Sequence, residues 1–137
     1  MQLHTYLNYG GNCEQAFRFY EQHLGGTITM LMRHGEQPNA AVPDDWKDAV
    51  LHARISIGET ELLGADIPPD RFQPIRSAYL SLTVSSDDEA DRIHAVLSDG
   101  GQIFMPMQET FFASRFSMLR DRFGTSWMIL HPKPQAV

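Results

Sequence analysis

The sequence predicts an α+β fold built from two βαβββ modules, and three observations carry that prediction. A period-two strand runs into a one-faced helix over residues 3–24, the same passage recurs over 79–99, and paired strands close each half.

Leu3, Thr5, Leu7 and Tyr9 fall on one side of an alternating segment, with His4, Tyr6 and Asn8 on the other, the signature of a strand. Gly10 and Gly11 end it. Asn12 with Gln15 has the spacing of a capping box, and Cys13, Ala16, Phe17, Tyr20 and Leu24 recur at helical spacing until Gly25. Thr27 to Met32 reads as a second strand, and Arg33 to Lys47, with two prolines and little periodicity, as a loop. Ala49 to Ile57 alternates again, and a turn at Gly58-Glu59-Thr60 leads into a strand over 61–66.

Pro68, Pro69 and Pro74 mark residues 67–77 as a linker. Beyond it Tyr79 to Val84 alternates, Ser86 and Glu89 form a capping box, and Ala90, Ile93 and Leu97 line a helix stopped by Gly100-Gly101. Strands are expected at 102–105, 115–119 and 126–131, the last two joined by a turn over 121–124. The two capping boxes stand about 75 residues apart, which makes the chain an internal repeat in order of elements rather than in residue identity. One domain over 1–137 is expected, with module one at about 1–67 and module two at about 78–132.

Composition narrows the function classes. Hydrophobic residues make up 42% and charged residues 20%, which excludes a disordered, charge-rich chain. A net charge of −6 leaves no broad basic face for nucleic acid or anionic lipid. The apolar runs are far shorter than a membrane span and Met1 leads into a polar strand, so a cytoplasmic location is expected. Cys13 cannot form an internal disulfide. At a helix start its thiol is open to acidification by the helix dipole, but its place on the apolar stripe predicts a small packed residue. The sequence contains no phosphate-binding Gly-rich loop, Cys-x-x-Cys pair or His-Glu-x-x-His helix.

Asn12-Cys13-Glu14-Gln15-Ala16-Phe17-Arg18-Phe19-Tyr20 with Leu24-Gly25-Gly26, followed by Leu51-His52-Ala53-Arg54-Ile55-Ser56-Ile57-Gly58, resembles the PhnB-like proteins of the vicinal-oxygen-chelate superfamily, which includes glyoxalases, bleomycin-resistance proteins and extradiol dioxygenases. Gly100-Gly101, the Met-Pro-Met-Gln-Glu-Thr-Phe-Phe-Ala run at 105–113 and Asp-Arg-Phe-Gly-Thr-Ser-Trp-Met at 121–128 are similar to the C-terminal signature of that branch. The resemblance implies a glyoxalase-like fold whose modules form a half-open mixed β-barrel, usually in a homodimer with a ligand pocket in each barrel. Its members include metal-dependent isomerases and dioxygenases as well as metal-free proteins that sequester drugs, so fold does not choose among them. Some sequences of the branch carry a demethylubiquinone methyltransferase label, yet nothing here resembles the Gly-rich strand-turn-helix that holds adenosylmethionine.

Metal-using members place His, Glu or Gln on barrel-facing positions of four strands, because a divalent ion needs several convergent donors. Carried onto this chain, the first position is His4, the second falls on Tyr79, the third near Leu62 to Gly64 and the fourth at or next to Met128. One imidazole among Tyr, Leu and Met is a poor site for zinc or nickel, so no metal and no cofactor are expected. The pocket candidates are His4, Tyr6, His52, Asp66, Tyr79, Glu109, Phe111 and Met128. Asp66 also suits capping of turn N–H groups, Glu109 suits a solvated loop, and Phe111 and Phe112 point to opposite sides if extended. Met30, Met32, Met105, Met107 and Met128 offer an adaptable lining, or core filling. Trp127 is expected on the helix-facing or interface side.

The expected function is metal-independent binding of a small hydrophobic or aromatic molecule by a homodimer. The alternatives are a glyoxalase- or dioxygenase-type metalloenzyme using His4, His52 and Asp66 or Glu109, and a dimerisation module without ligand. The loop at 33–48 with Trp46 is expected to cover either the pocket or a partner.

Overall fold

Alternation in the first strand and helical spacing in the segment after it turn their apolar sides toward each other, and this pairing organises each half. The computed structural model describes residues 1–38 and 41–134, and the chain divides into two compact units, Met1–Pro74 and Ile75–Val137.

The first unit contains β1 (Thr5–Tyr9), α1 (Cys13–His23), β2 (Thr27–Arg33), β3 (Val50–Ile57) and β4 (Thr60–Asp66). The strand order is β1-β4-β3-β2, with β1 parallel to β4 and the other pairs antiparallel. In β1, Leu7 and Tyr9 are buried while Thr5, Tyr6 and Asn8 are exposed. Cys13, Ala16, Phe17 and Tyr20 of α1 are fully buried, a spacing that lays one stripe on the sheet. Gly64 lies under that stripe: a Cβ there would stand 2.8 Å from Phe17 Cζ and 3.2 Å from Cys13 Sγ. The close approach of helix to sheet requires glycine at this position.

Asn12 does not cap α1 with its side chain. The expected capping box is replaced by the Asp66 carboxylate, which arrives from the end of β4 and accepts the Gly11 and Cys13 amides through Oδ1 at 3.1 and 2.9 Å. Leu3 lies outside β1 and is exposed, so it does not pack on the helix as its parity suggested. Two short 3-10 turns, His34–Glu36 and Asp44–Trp46, structure the expected loop. Trp46 folds back on its own unit, with its ring 3.6 Å from the Cβ position of Gly11.

The second unit contains β5 (Leu80–Thr83), α2 (Asp87–Ser98), β6 (Gln102–Gln108), β7 (Ala113–Arg120) and β8 (Ser126–Pro132), in the order β5-β8-β7-β6. Here half of the expected capping box forms: Ser86 accepts the Glu89 amide at 3.0 Å, while the Glu89 carboxylate accepts the amide of Ser85, one residue before the cap, at 3.0 Å. Ala90, Ile93 and Leu97 are the buried residues of α2. β6 runs past Pro106, where the sequence suggested an end. It is an edge strand, so the missing N–H of proline removes no required ladder bond. The β7–β8 turn is built on buried Asp121, which accepts the Phe123 and Thr125 amides and, through Oδ2, Trp127 Nε1 at 2.9 Å. Both units are α+β, with open four-stranded mixed sheets each covered by one helix. No helix among the described residues is long and apolar enough to cross a membrane.

Candidate functional site

With one face of each sheet covered by its helix, any site carried by a sheet lies on the other face. In the first unit the register brings Tyr6, Leu63, Arg54 and Met30 into one row across β1, β4, β3 and β2, and beside it pairs Asn8 with Ala65 and His52 with Met32. These residues alternate with Leu7, Gly64 and Ala53, the set beneath α1, and therefore point away from it. Leu63 and Ala65 are buried, whereas Tyr6, Met30 and Met32 remain 49, 40 and 41% exposed. Met30 and Met32 are neighbours on the edge strand β2, and Tyr6 stands on β1 at the other edge of the same face.

Tyr6 reaches diagonally across β4 to His52, with its hydroxyl 3.0 Å from His52 Nδ1 and the rings stacked at 5.7 Å. Side chains two strands apart meet this way when the sheet is curled toward them. Burial first, and Cys13 second, raises the Tyr6 phenol above its ordinary value, so the hydroxyl stays protonated. Arg54 makes one long ion pair, 3.6 Å to Glu61. Its Nε is buried without a hydrogen-bond partner among the described residues.

The helix-free face of the second unit has a different character. Ser81, Met128, Met118 and Met105 register across β5, β8, β7 and β6, and the three methionines are half-buried. Tyr79 lies just before β5 and Phe104 on β6, at opposite edges of the sheet. Their rings nevertheless meet edge-on at 6.3 Å, with the Arg120 guanidinium 5.1 Å over Phe104. The opposite side of these strands carries buried Ile129, Leu119, Trp127 and Ser117. Ser117 is matched there by His94 of α2 at 2.9 Å, and burial lowers the His94 pKa.

The structure brings together Tyr6 and His52 of the residues singled out from sequence. His4 precedes β1, is exposed, and lies 3.4 Å from Gln2 Oε1. Asp66 is 2% exposed, and its second oxygen accepts the Val50 amide at 2.8 Å while its own carbonyl accepts His34 Nε2 at 3.2 Å. Its carboxylate is a structural staple. Tyr79 and Met128 belong to the helix-free face of the second unit. Glu109 is an exposed loop residue paired with Lys133 at 2.8 Å, and that pairing lowers its pKa and weakens it as a base. Phe111 is 91% exposed and packs edge-on against Phe112, which in turn meets buried Phe116. Cys13 is wholly buried, and desolvation, then the Asp66 and Glu14 charges, push its thiol far above the usual range, reversing any acidification by the helix end.

The donor set that the superfamily's metal sites need does not form around His4. Among the described residues no three His, Cys, Asp or Glu side chains converge on a point, and Asp66 is already fully engaged. These residues do not fit a divalent ion of that type. Arg54, Phe104 and Arg120 were missed in the sequence, although Arg54 stands two residues after His52 in an alternating strand and so had to share its face.

A family model described as 3-demethylubiquinone-9 3-methyltransferase matches residues 1–130. Protein YjdN of Escherichia coli K12 is 31% identical over an alignment covering 98% of each chain. Among solved structures, protein PA1353 from Pseudomonas aeruginosa is 40% identical, covers 96% of this chain and 97% of its own, and superposes with a TM-score of 0.87. A Bacillus cereus protein carrying the names 3-demethylubiquinone-9 3-methyltransferase and PhnB is 24% identical over 96% of this chain and 99% of its own. Its TM-score of 0.82 attests the shared fold.

Proposed function

The chain belongs to the 3-demethylubiquinone-9 3-methyltransferase family, and on that footing we propose that it is a PhnB-like protein of the vicinal-oxygen-chelate superfamily that binds a small hydrophobic or aromatic molecule without a metal. The binding species is a homodimer, with the molecule held on the helix-free face of a sheet. The observation that carries this reading is that three large side chains, Tyr6, Met30 and Met32, are left 40–49% exposed on the helix-free face of the first sheet. Aromatic rings and polarizable thioethers suit flat apolar ligands of variable shape. The half-buried Met105, Met118 and Met128 of the second sheet support the same ligand class.

The methyltransferase name of the family asks for an adenosylmethionine site of the doubly wound type. The Gly10-Gly11 turn into α1 is the place in the first unit where such a loop would sit. There the helix N-terminus already receives a protein carboxylate, that of Asp66.

The test is a thermal-shift panel of flat aromatic compounds, run with and without a chelator, alongside sedimentation of the free protein. Binding is expected to raise the melting midpoint by an amount that the chelator leaves unchanged and that Tyr6→Ala or Met32→Ala reduces. A stabilisation that appears only with added zinc, nickel or iron would favour the metalloenzyme class. A dimer that no compound stabilises would favour a dimerisation module.

A further inference from the structure

The helix-free face of the first unit is not uniformly apolar. His52 and Arg54 occupy alternate positions of β3 and project from the same side, about 7 Å apart along the strand. The Tyr6 hydroxyl holds His52 Nδ1 at 3.0 Å, and the other ring nitrogen, Nε2, has no partner among the described residues; in the tautomer where Tyr6 donates, Nε2 carries the ring proton and is a donor. Arg54 carries five N–H donors, and what engages them is one 3.6 Å contact to Glu61. Nε has no acceptor among the described residues. The face therefore offers N–H donors and a positive charge beside the Met30 and Met32 thioethers, and its one acidic neighbour, Glu61, is held loosely.

Two carboxylates of this unit, Asp66 and Glu14, are taken up by structural work. Asp66 accepts three amides, and Glu14 takes Arg33. Arg54 and the outer nitrogen of His52 are left without such a task, and donors next to apolar side chains suit one kind of guest.

Resting on the binding reading above, we propose that the ligand of this face is a flat aromatic acid, its carboxylate received by Arg54 and His52 and its ring lying over Met30 and Met32. A planar guanidinium recognises a carboxylate better than it does any neutral acceptor. The long Glu61 contact is the one the ligand would displace.

The experiment compares 2-naphthoate with 2-naphthamide, isosteres that differ in charge, by calorimetric titration of the full chain. The acid is expected to bind at least about tenfold tighter than the amide, as charge-assisted pairing implies. Arg54→Met should abolish that preference while leaving amide affinity within about threefold, and Glu61→Gln should widen it. A melting curve for each variant guards against misfolding, and Arg54→Gln serves as the second variant if Arg54→Met is unstable. Equal affinity for the two probes, or a preference that survives Arg54→Met, overturns the acid proposal and leaves the binding reading standing. Failure of both probes to bind removes the reading for flat aromatic ligands, and this proposal with it.

Discussion

The Asp66 carboxylate and the Cys13 amide, 53 residues apart in sequence, are joined by a buried 2.9 Å hydrogen bond. That bond, with those to the Gly11 and Val50 amides, ties the end of β4 to the start of α1 and the start of β3. An aspartate whose place at a strand end made it a pocket candidate, and equally a cap for backbone amides, is engaged as the cap.

Replacing Asp66 with Ala leaves three amides without their acceptor in a buried place. The expected loss is about 3 kcal/mol of unfolding free energy, measured by urea denaturation. Asp66→Asn should recover part of it, because one acceptor oxygen remains, but an amide NH₂ cannot accept from the remaining N–H. A loss below about 1 kcal/mol for Asp66→Ala would mean that water replaces the carboxylate at no great cost.

Gly64 offers a test of how closely α1 lies on its sheet. Alanine there would bring Cβ to 2.8 Å from Phe17 Cζ and 3.2 Å from the Leu7 carbonyl oxygen. Overpacking of this kind costs about 1–3 kcal/mol. Trimming the ring in the double variant Gly64→Ala/Phe17→Leu should restore part of that stability relative to the sum of the two single changes, a coupling read from a double-mutant cycle.

These two positions also show what was legible in the sequence. The period of two around Leu7 and Tyr9 and the 3.6 spacing of Cys13, Ala16, Phe17 and Tyr20 are local properties, and local properties placed the elements and their buried faces. The Ser86 cap on the Glu89 amide was legible because both partners sit within one helical turn. The cap of α1 was not, since its acceptor comes from a distant strand and Asn12 supplied a local decoy. For the same reason His52 could be nominated but its partner could not: the Tyr6 contact depends on parallel pairing of β1 with β4 and on the curl of the sheet. Arg54 is legible by parity alone, since it stands two residues after His52 on the same strand. His4 carried the right neighbours in sequence, but convergence of donors is a three-dimensional property that no strand pattern contains.

Acid should act on the first unit partly through Glu14. The Arg33 hydrogen bond, before any other cause, lowers the Glu14 pKa, with Nη1 2.7 Å from Oε1. A carboxylate whose folded pKa is depressed contributes stability above its unfolded value, about 4.3, and loses that contribution as pH falls through the folded value. Both side chains are about one-third exposed, so at neutral pH the pair contributes no more than about 1 kcal/mol. Arg33→Met should therefore lower stability slightly at pH 7, and the two stability curves should converge below about pH 4.3. Curves that remain parallel down to pH 2 would assign the effect of Arg33 to its other bond, the one to the Asp48 carbonyl.

Adjacent residues of β8 separate the two faces of the second sheet most sharply. Ile129 is fully buried on the side that α2 covers, while Met128, registered with Ser81 and Met118, is half-buried on the other. Ile129→Ala should cost about 2–5 kcal/mol, because it removes packed methyl groups and leaves a cavity. Met128→Ala removes a side chain of similar size from a face that solvent reaches, and should cost about 1 kcal/mol or less in the free protein. If the Met row lines a ligand site, Met128→Ala should reduce the thermal shift produced by a bound flat aromatic compound, and Ile129→Val, a milder core change, should leave that shift intact. Equal stability losses at the two positions would place Met128 in the core and remove the second sheet from the proposed site.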